Sequence, residues 1–396
     1  MEELMAVGKK LVVLGAGVGG LSVVKELTEV GVDLNGLDVT VVDEDFSHFL
    51  GFTLPWVMRG WRSQDSVPIR PTGEALSGVE TVVGRGSGID PHARTVTLVD
   101  SSTIDFDALI IATGARNVID NTPGLQAAVD RGTAVHYYSA AAAADAHRAL
   151  RSFSGGKLVF LVASEIYRCP VAPYEGTLLA ADLLKETGTR AATQISIYSP
   201  EEQPMPSAGP YAGQELVGFL SEEGIQFFGG HAVTRVDAES SSIEFANGTV
   251  VDFDLLVFIP AHEPALTLDG SGWISVDPAT MQTQHPGIFA IGDTAAVTAP
   301  SGKNLPKAAA FARNGGKAAA RNALRHLGIL DAWDILSGEG FCYIDTGGHT
   351  SSQGKGDFFA IPHPQIHLSQ PSAQLYDDKQ KEENDWRVRW ERPRTV

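Results

Sequence analysis

The feature that most constrains this chain is a glycine pattern, Gly15-x-Gly17-x-x-Gly20, set between two apolar runs. Leu11-Val12-Val13-Leu14 precedes it, short, continuous and rich in β-branched residues, as a strand buried in a parallel sheet must be. A helical pattern follows to about Val30 and is ended by Gly31 and Asn35-Gly36. A second apolar run, Val39-Thr40-Val41-Val42, then stops at Asp43. Residues 10–43 therefore read as a βαβ unit. In that setting the three glycines divide the work. Gly15 makes the turn, Gly17 lets backbone approach a pyrophosphate, and Gly20 packs helix on strand. Ala16 and Gly19 complete a loop whose free N–H groups and helix dipole favour a phosphate. Asp43, 23 residues beyond Gly20, stands where an acid takes ribose hydroxyls, with Glu44 beside it.

The rest of the chain repeats the theme. At 396 residues it exceeds what one hydrophobic core supports, so two or more domains are expected. Thr81-Val82-Val83 and the run 95–99 alternate as strands of an antiparallel excursion, and Ala108-Leu109-Ile110-Ile111-Ala112 is another buried strand. A second βαβ-like unit has strands over 157–163 and 194–198 around a helix over 174–187. The chain returns to its first domain at about Ala261, and a long Ala/Arg/Lys helix runs from Pro306 to Leu327. The expected fold is α/β, with two Rossmann-like domains built on parallel sheets. Residues 1–120 and 261–330 form a discontinuous first domain, 121–260 the second, and 331–396 a C-terminal segment ending in a polar tail.

Charge narrows the partners. Acids outnumber bases 48 to 30, and a net charge of −18 excludes sequence-independent binding to nucleic acid phosphates. It also opposes docking on anionic lipid. The N-terminus lacks a basic segment followed by an apolar core, and no stretch approaches the ~18 apolar residues that span a bilayer. A cytoplasmic protein is expected. Its histidines, among them His48, His136, His262 and His285, lack ligand spacing, so no metal site is read. The only two cysteines, Cys169 and Cys342, are too few for a disulfide scaffold and leave inert core thiols or a redox pair.

Two further segments carry chemistry. Ile288-Phe289-Ala290-x-Gly292-Asp293, with Ala112-Thr113-Gly114 upstream, resembles the two-dinucleotide-binding flavoproteins. That resemblance implies FAD, with Asp293 on its ribityl chain, against the plainer reading of Asp293 as a helix N-cap. The helix from Pro306 would then aim its positive end at the flavin. In the second unit, the strand 158–163 leads not into glycines but into Ser164-Glu165-Ile166-Tyr167-Arg168-Cys169-Pro170-Val171-Ala172-Pro173-Tyr174-Glu175. Such a loop shields its backbone from a nicotinamide dinucleotide. Cys169 lies just before a helix, a position expected to lower its thiol pKa.

Tyr167-Arg168-Cys169-Pro170-x-x-Pro173-Tyr174-Glu175 resembles the cysteine loop of the sulfide:quinone oxidoreductases and of the flavoprotein subunit of flavocytochrome c sulfide dehydrogenase. Cys342, 173 residues further on, fits the same likeness, as do Pro306-Lys307 and the segment from Ser47-His48-Phe49 to Pro55-Trp56-Val57. The resemblance implies that Cys169 and Cys342 face the flavin and carry sulfur from sulfide, or another small sulfur nucleophile, while electrons leave for a quinone or another acceptor. Glu175 is the candidate base, or else a solvated carboxylate. Lys307 would stabilise reduced flavin or orient a quinone carbonyl, or else sit on the surface. Pro55, Val83, Gly114 and Gly292 complete the expected cofactor set. No third cysteine lies between Thr113 and Leu150, which resembles the sulfide dehydrogenase pattern. The tail from Pro371, with six acids, six bases and Trp386, Val388 and Trp390 alternating, reads equally as a solvated or homodimer-packing segment and as a weak peripheral membrane contact. Two competing readings are an NAD(P)H-dependent disulfide or quinone reductase and a non-catalytic FAD-binding partner protein.

Overall fold

The structure, a computed structural model, describes residues 8–270 and 272–391. The central strand of the first sheet is Lys9–Leu14. Leu37–Asp43 and then Glu80–Val83 lie on one side of it, Ala108–Ile111 and then Ile288–Ala290 on the other, and every pairing is parallel. Because Ile288–Ala290 comes from far downstream, this half of the molecule is discontinuous in sequence. The second sheet, also all parallel, runs Ile225–Phe228, Thr193–Tyr198, Gly156–Val162, Leu255–Ile259, Ala134–His136. Leu11, Val13, Ile110, Phe160 and Val257 are wholly buried. Each contributes roughly 1.5–3 kcal/mol, which is why these runs are continuous rather than alternating.

The chain crosses between the sheets on an antiparallel ribbon of Ala115–Val118 and Ala261–Pro264. The expected excursion is present as Gly86–Asp90, Thr95–Leu98 and Thr103–Asp105. Residues 81–83 are not part of it. Glu80–Val83 instead pairs parallel with Leu37–Asp43, because the long crossover through the helix Leu54–Arg59 returns the chain in the same direction. The long helix is shorter than the sequence pattern, Ala309–His326, since Lys307 is held extended by a bridge to Arg168.

Beyond the two sheets, Glu339–Gly347 and Thr350–Asp357 form a hairpin joined by His367–Leu368. The expected polar tail is instead a helix, Ala373–Glu391, that packs on this hairpin. Its inner face is buried through Tyr376, Lys379, Glu383, Trp386 and Trp390, while residues of its outer face such as Val388 stay exposed. Arg387 donates to the carbonyls of Ser66, Val67 and Pro68, and Thr72 N–H donates to the Trp390 carbonyl at 2.8 Å. Among the described residues, no helix is long and apolar enough to cross a membrane.

Candidate active site

The glycine loop does what its spacing requires. Gly15 has φ +101°, and a Cβ there would lie 2.4 Å from the Ala112 carbonyl oxygen. Gly20 lies under the turn, where a Cβ would sit 1.8 Å from the Gly15 oxygen. Gly17 faces open space with nothing within 4 Å, the bare backbone that a pyrophosphate approaches. Asp43 accepts from Ala16 N–H at 2.7 Å and from Phe46 N–H at 2.9 Å, so its carboxylate also fixes the loop. Gly20→Ala is expected to lose its dinucleotide during purification, read as the flavin-to-protein absorbance ratio.

From this loop a cleft of about 350 Å³ runs between the sheets to the hairpin. Gly15, Gly17, Gly19, Asp43, Pro55, Ala112, Thr113, Gly114, Gly292, Asp293 and Lys307 all line it, and so do both Cys169 and Cys342. Other expected residues stand outside. Ala16 and Gly20 lie behind the loop, Glu44 meets Arg85 at 3.7 Å on the surface, and Val83 is 73% exposed at the sheet edge next to Asp43. Glu175 is not solvated: it is fully buried.

Cys169 is held by its backbone. Its φ is +60°, rare for a residue with a side chain, and its N–H donates to the Lys307 carbonyl at 2.8 Å. Tyr138 Oη–H donates to the Arg168 carbonyl at 3.0 Å, and Tyr137 Oη–H to that of Ala172 at 2.6 Å. The expected low thiol pKa is not found. Burial and the Glu175 carboxylate push Cys169 up to about 12, outweighing Lys379 and the N–H groups of Ala172 and Val171. Cys342 is pushed up by burial first and then by Cys169. The helix begins only at Ala172, and its dipole is too weak to offset so dry a setting. Both residues are thiols in this structure.

Beneath the pair lies a charge network that the sequence did not suggest. Lys379 Nζ, from the last helix, donates to Glu175 Oε1 at 2.5 Å and to Asp345 Oδ2 at 2.8 Å, and all three side chains are fully buried. Trp56 Nε1–H donates to Asp345 at 2.5 Å, and Ser351 Oγ–H also donates to it. Burial drives Glu175 up to about 8 despite the ammonium beside it. Burial also pushes on Asp345, but Lys379, together with hydrogen bonds from Ser351 and Glu175, more than offsets it and leaves that carboxyl below its ordinary value. Lys379, raised by its two carboxylates, keeps its charge. The network therefore holds a charged Lys379 and an ionised Asp345, with Glu175 pushed toward its protonated form. Trp386 Nε1–H donates to His48 Nε2 at 2.8 Å, fixing another cleft residue from the same helix. A readable signal did exist: Tyr376, Lys379, Glu383, Trp386 and Trp390 recur at helical spacing, one face of one helix.

Lys307 Nζ donates to the carbonyls of Asp293, at 2.7 Å, and Ala295, at 3.2 Å, and stands 3.6 Å from the Trp273 ring centroid. Burial lowers it to about 8, and Asp293 opposes the fall.

The pattern of the pyridine nucleotide-disulphide oxidoreductases matches residues 9–316. This chain belongs to that family. A mitochondrial sulfide:quinone oxidoreductase of Dictyostelium discoideum is 23% identical over 297 residues, covering 72% of this chain and 65% of that protein, so the chain spans just under two thirds of that relative. A type II NADH:quinone oxidoreductase of Mycobacterium tuberculosis is 25% identical over 331 residues, covering 74% and 67%. The crystal structure of the sulfide:quinone oxidoreductase from Aquifex aeolicus superposes with a TM-score of 0.83 at 19% identity, covering 96% of this chain and 92% of that one. The shared fold is the two-sheet α/β arrangement described above.

FAD is the cofactor of this oxidoreductase family, and the cleft fits it. Gly17 is bare, Thr113 Oγ1 is buried without a partner, and the N-terminal residues of the helix Ala309–His326 line the wall beside Asp293. Among the described residues, no cluster could hold a metal ion.

Proposed function

We propose that this oxidoreductase oxidises sulfide, or another small persulfide-forming sulfur nucleophile, at Cys169 and Cys342 and passes two electrons through FAD to a quinone. One observation carries the reading: two cysteines, 173 residues apart in sequence, line the same cleft as the dinucleotide loop, and the buried Glu175 carboxyl acts electrostatically on both. FAD supplies a two-electron acceptor at that cleft. The chain supplies the sulfur chemistry.

Hydrosulfide attacks Sγ of Cys342 in a Cys169–Cys342 disulfide. A new S–S bond forms, the old one breaks, and Cys169 leaves with the electron pair. A thiol whose pKa is about 12 is a poor leaving group as the anion, so it needs a proton. Glu175, with a pKa of about 8, holds one at neutral pH and gives it up. Its expected role as base is thus preceded by one as acid. The products are a Cys342 persulfide, a Cys169 thiol and the Glu175 carboxylate, which Lys379 stabilises. The thiol and the persulfide next join through the added sulfur and release two electrons and two protons. A bound FAD would take up the two electrons and one proton, while Glu175 takes back the other proton.

The pH dependence follows. The rate of disulfide opening should fall as pH rises through about 8, where Glu175 loses its proton. Glu175→Gln should flatten that limb and slow the step by about 10²–10⁴-fold. Stopped-flow kinetics with a nucleophile whose own ionisation lies outside the range would measure both.

NADH is the competing donor. In the second sheet, the acid that follows Thr193–Tyr198 is Glu201, where a dinucleotide fold keeps its ribose-binding carboxylate. Here it accepts from Tyr167 at 3.0 Å and Tyr174 at 3.4 Å, which supports sulfide over NADH. An anaerobic titration of the FAD-loaded protein, first with sulfide and then with NADH, tests the proposal. Rapid bleaching by sulfide alone is expected; bleaching by NADH alone, or by neither, rejects it.

A further inference from the structure

The two tyrosines that donate to Glu201 flank Cys169 in sequence, Tyr167 before it and Tyr174 after it. Both phenols reach the same carboxylate oxygen, Oε2, at 3.0 and 3.4 Å, and both tyrosines are buried. One carboxylate oxygen has the lone pairs to accept both. Glu201 is itself anchored to the second sheet. Its N–H donates to Ser199 Oγ at 3.2 Å, its carbonyl accepts from Gly230 N–H at 3.3 Å, and Ser199 N–H donates to the Phe228 carbonyl at 3.0 Å. The cysteine loop is thus tied at both ends to one side chain from a different element. Tyr174 also lies in the first turn of the helix Ala172–Thr187, which carries Glu175.

The loop needs such a tie. Cys169 holds a φ of +60°, a conformation that costs energy and persists only where the surroundings over-determine it. The bonds from Cys169 N–H to the Lys307 carbonyl, 2.8 Å, and from Ala172 N–H to the Cys169 carbonyl, 3.0 Å, fix the centre of the turn. They do not fix where its ends lie on the second sheet; the phenols do. Burial pushes the Glu201 carboxyl up to about 7 and Glu165 adds to that, while the two phenols and Lys303 oppose it. The acid is therefore held in a poor solvent chiefly by the tyrosines it clamps. We infer that Glu201 is a positioning residue for Cys169: by clamping Tyr167 and Tyr174 it holds the thiol in the strained turn from which it pairs with Cys342. This rests on the sulfur chemistry proposed above, which requires the two cysteines to join.

The test equilibrates the full-length FAD-loaded protein anaerobically in mixtures of glutathione disulfide and glutathione. Cys169 and Cys342 give two electrons and two protons to glutathione disulfide, which becomes two glutathiones, and an S–S bond forms between the cysteines. Acid quenching, alkylation and mass measurement read the fraction joined. The wild type is expected to form the bond. Glu201→Leu should lower the equilibrium constant about tenfold, which moves the pair's potential by about 30 mV toward easier reduction. Tyr167→Phe combined with Tyr174→Phe should reproduce that loss, and it keeps the test decisive if the leucine variant does not fold. Glu201→Gln, whose amide oxygen still accepts a phenol, should restore most of the wild-type constant. A contact that served stability alone would lower the melting temperature and leave the constant unmoved. A wild-type constant in the double tyrosine variant, or a Glu201→Gln constant no higher than that variant's, overturns the inference. A wild type that forms no disulfide overturns the sulfur chemistry, and the inference with it.

Discussion

Cys169→Ser is expected to leave FAD bound but to abolish its reduction by sulfide, a fall of about 10⁴–10⁶-fold, the scale seen when a reacting nucleophile is deleted. The serine oxygen can occupy the same backbone position, since the positive φ is imposed by the Lys307 carbonyl and the prolines around it. It could not form the disulfide on which the proposed sulfide step depends. Cys342→Ser should match it, because the two act as one unit and their losses are not additive. Anaerobic stopped-flow absorbance measures both. A Cys169→Ser protein that still bleaches with sulfide at the wild-type rate would leave the cysteine chemistry without support.

Lys379→Met should be the most destabilising single change in the site. It leaves Glu175 and Asp345 facing each other in a fully buried space with no cation, a cost of about 3–5 kcal/mol. Urea unfolding read by tryptophan fluorescence would show it, and the gap from wild type should narrow as pH falls and the stranded carboxyls take protons. The sign for the wild type is also defined. Glu175 has a folded pKa of about 8, above its unfolded value, so the native state holds a proton that the unfolded chain releases. Stability therefore declines as pH rises between those two values, by at most about 1.4 kcal/mol per pH unit. Glu175→Gln should remove its share of that decline and leave the share of Glu201, which burial raises to about 7. A profile that Glu175→Gln leaves unchanged would mean that the Glu175 carboxyl ionises normally.

The parts of the site legible in the sequence are those whose chemistry is local. Gly15, Gly17 and Gly20 act through turn geometry and backbone exposure, so their spacing alone carried the dinucleotide loop. The apolar runs at 11–14 and 158–163 were equally plain, because a strand covered on both faces must be apolar throughout. Cys169 and Glu175 stood out through the proline-flanked loop around them. What misled was environment. A cysteine before a helix reads as acidic, yet the thiol sits where desolvation dominates a weak dipole. The last helix misleads through period: Trp386, Val388 and Trp390 alternate as a strand would, yet the spacing of four between the two tryptophans is one helical turn.

The sequence by itself determined the α/β fold and the dinucleotide loop, because each rests on short-range rules of backbone and spacing. Only the tertiary structure decided that Lys379, amid the charges of Asp377 to Glu383, is buried rather than solvated, and that Glu175 keeps its proton near neutral pH. Those outcomes depend on which distant groups converge in a water-excluded space. Nothing local in a charged helix announces that its lysine will meet two buried carboxyl groups brought together by the fold.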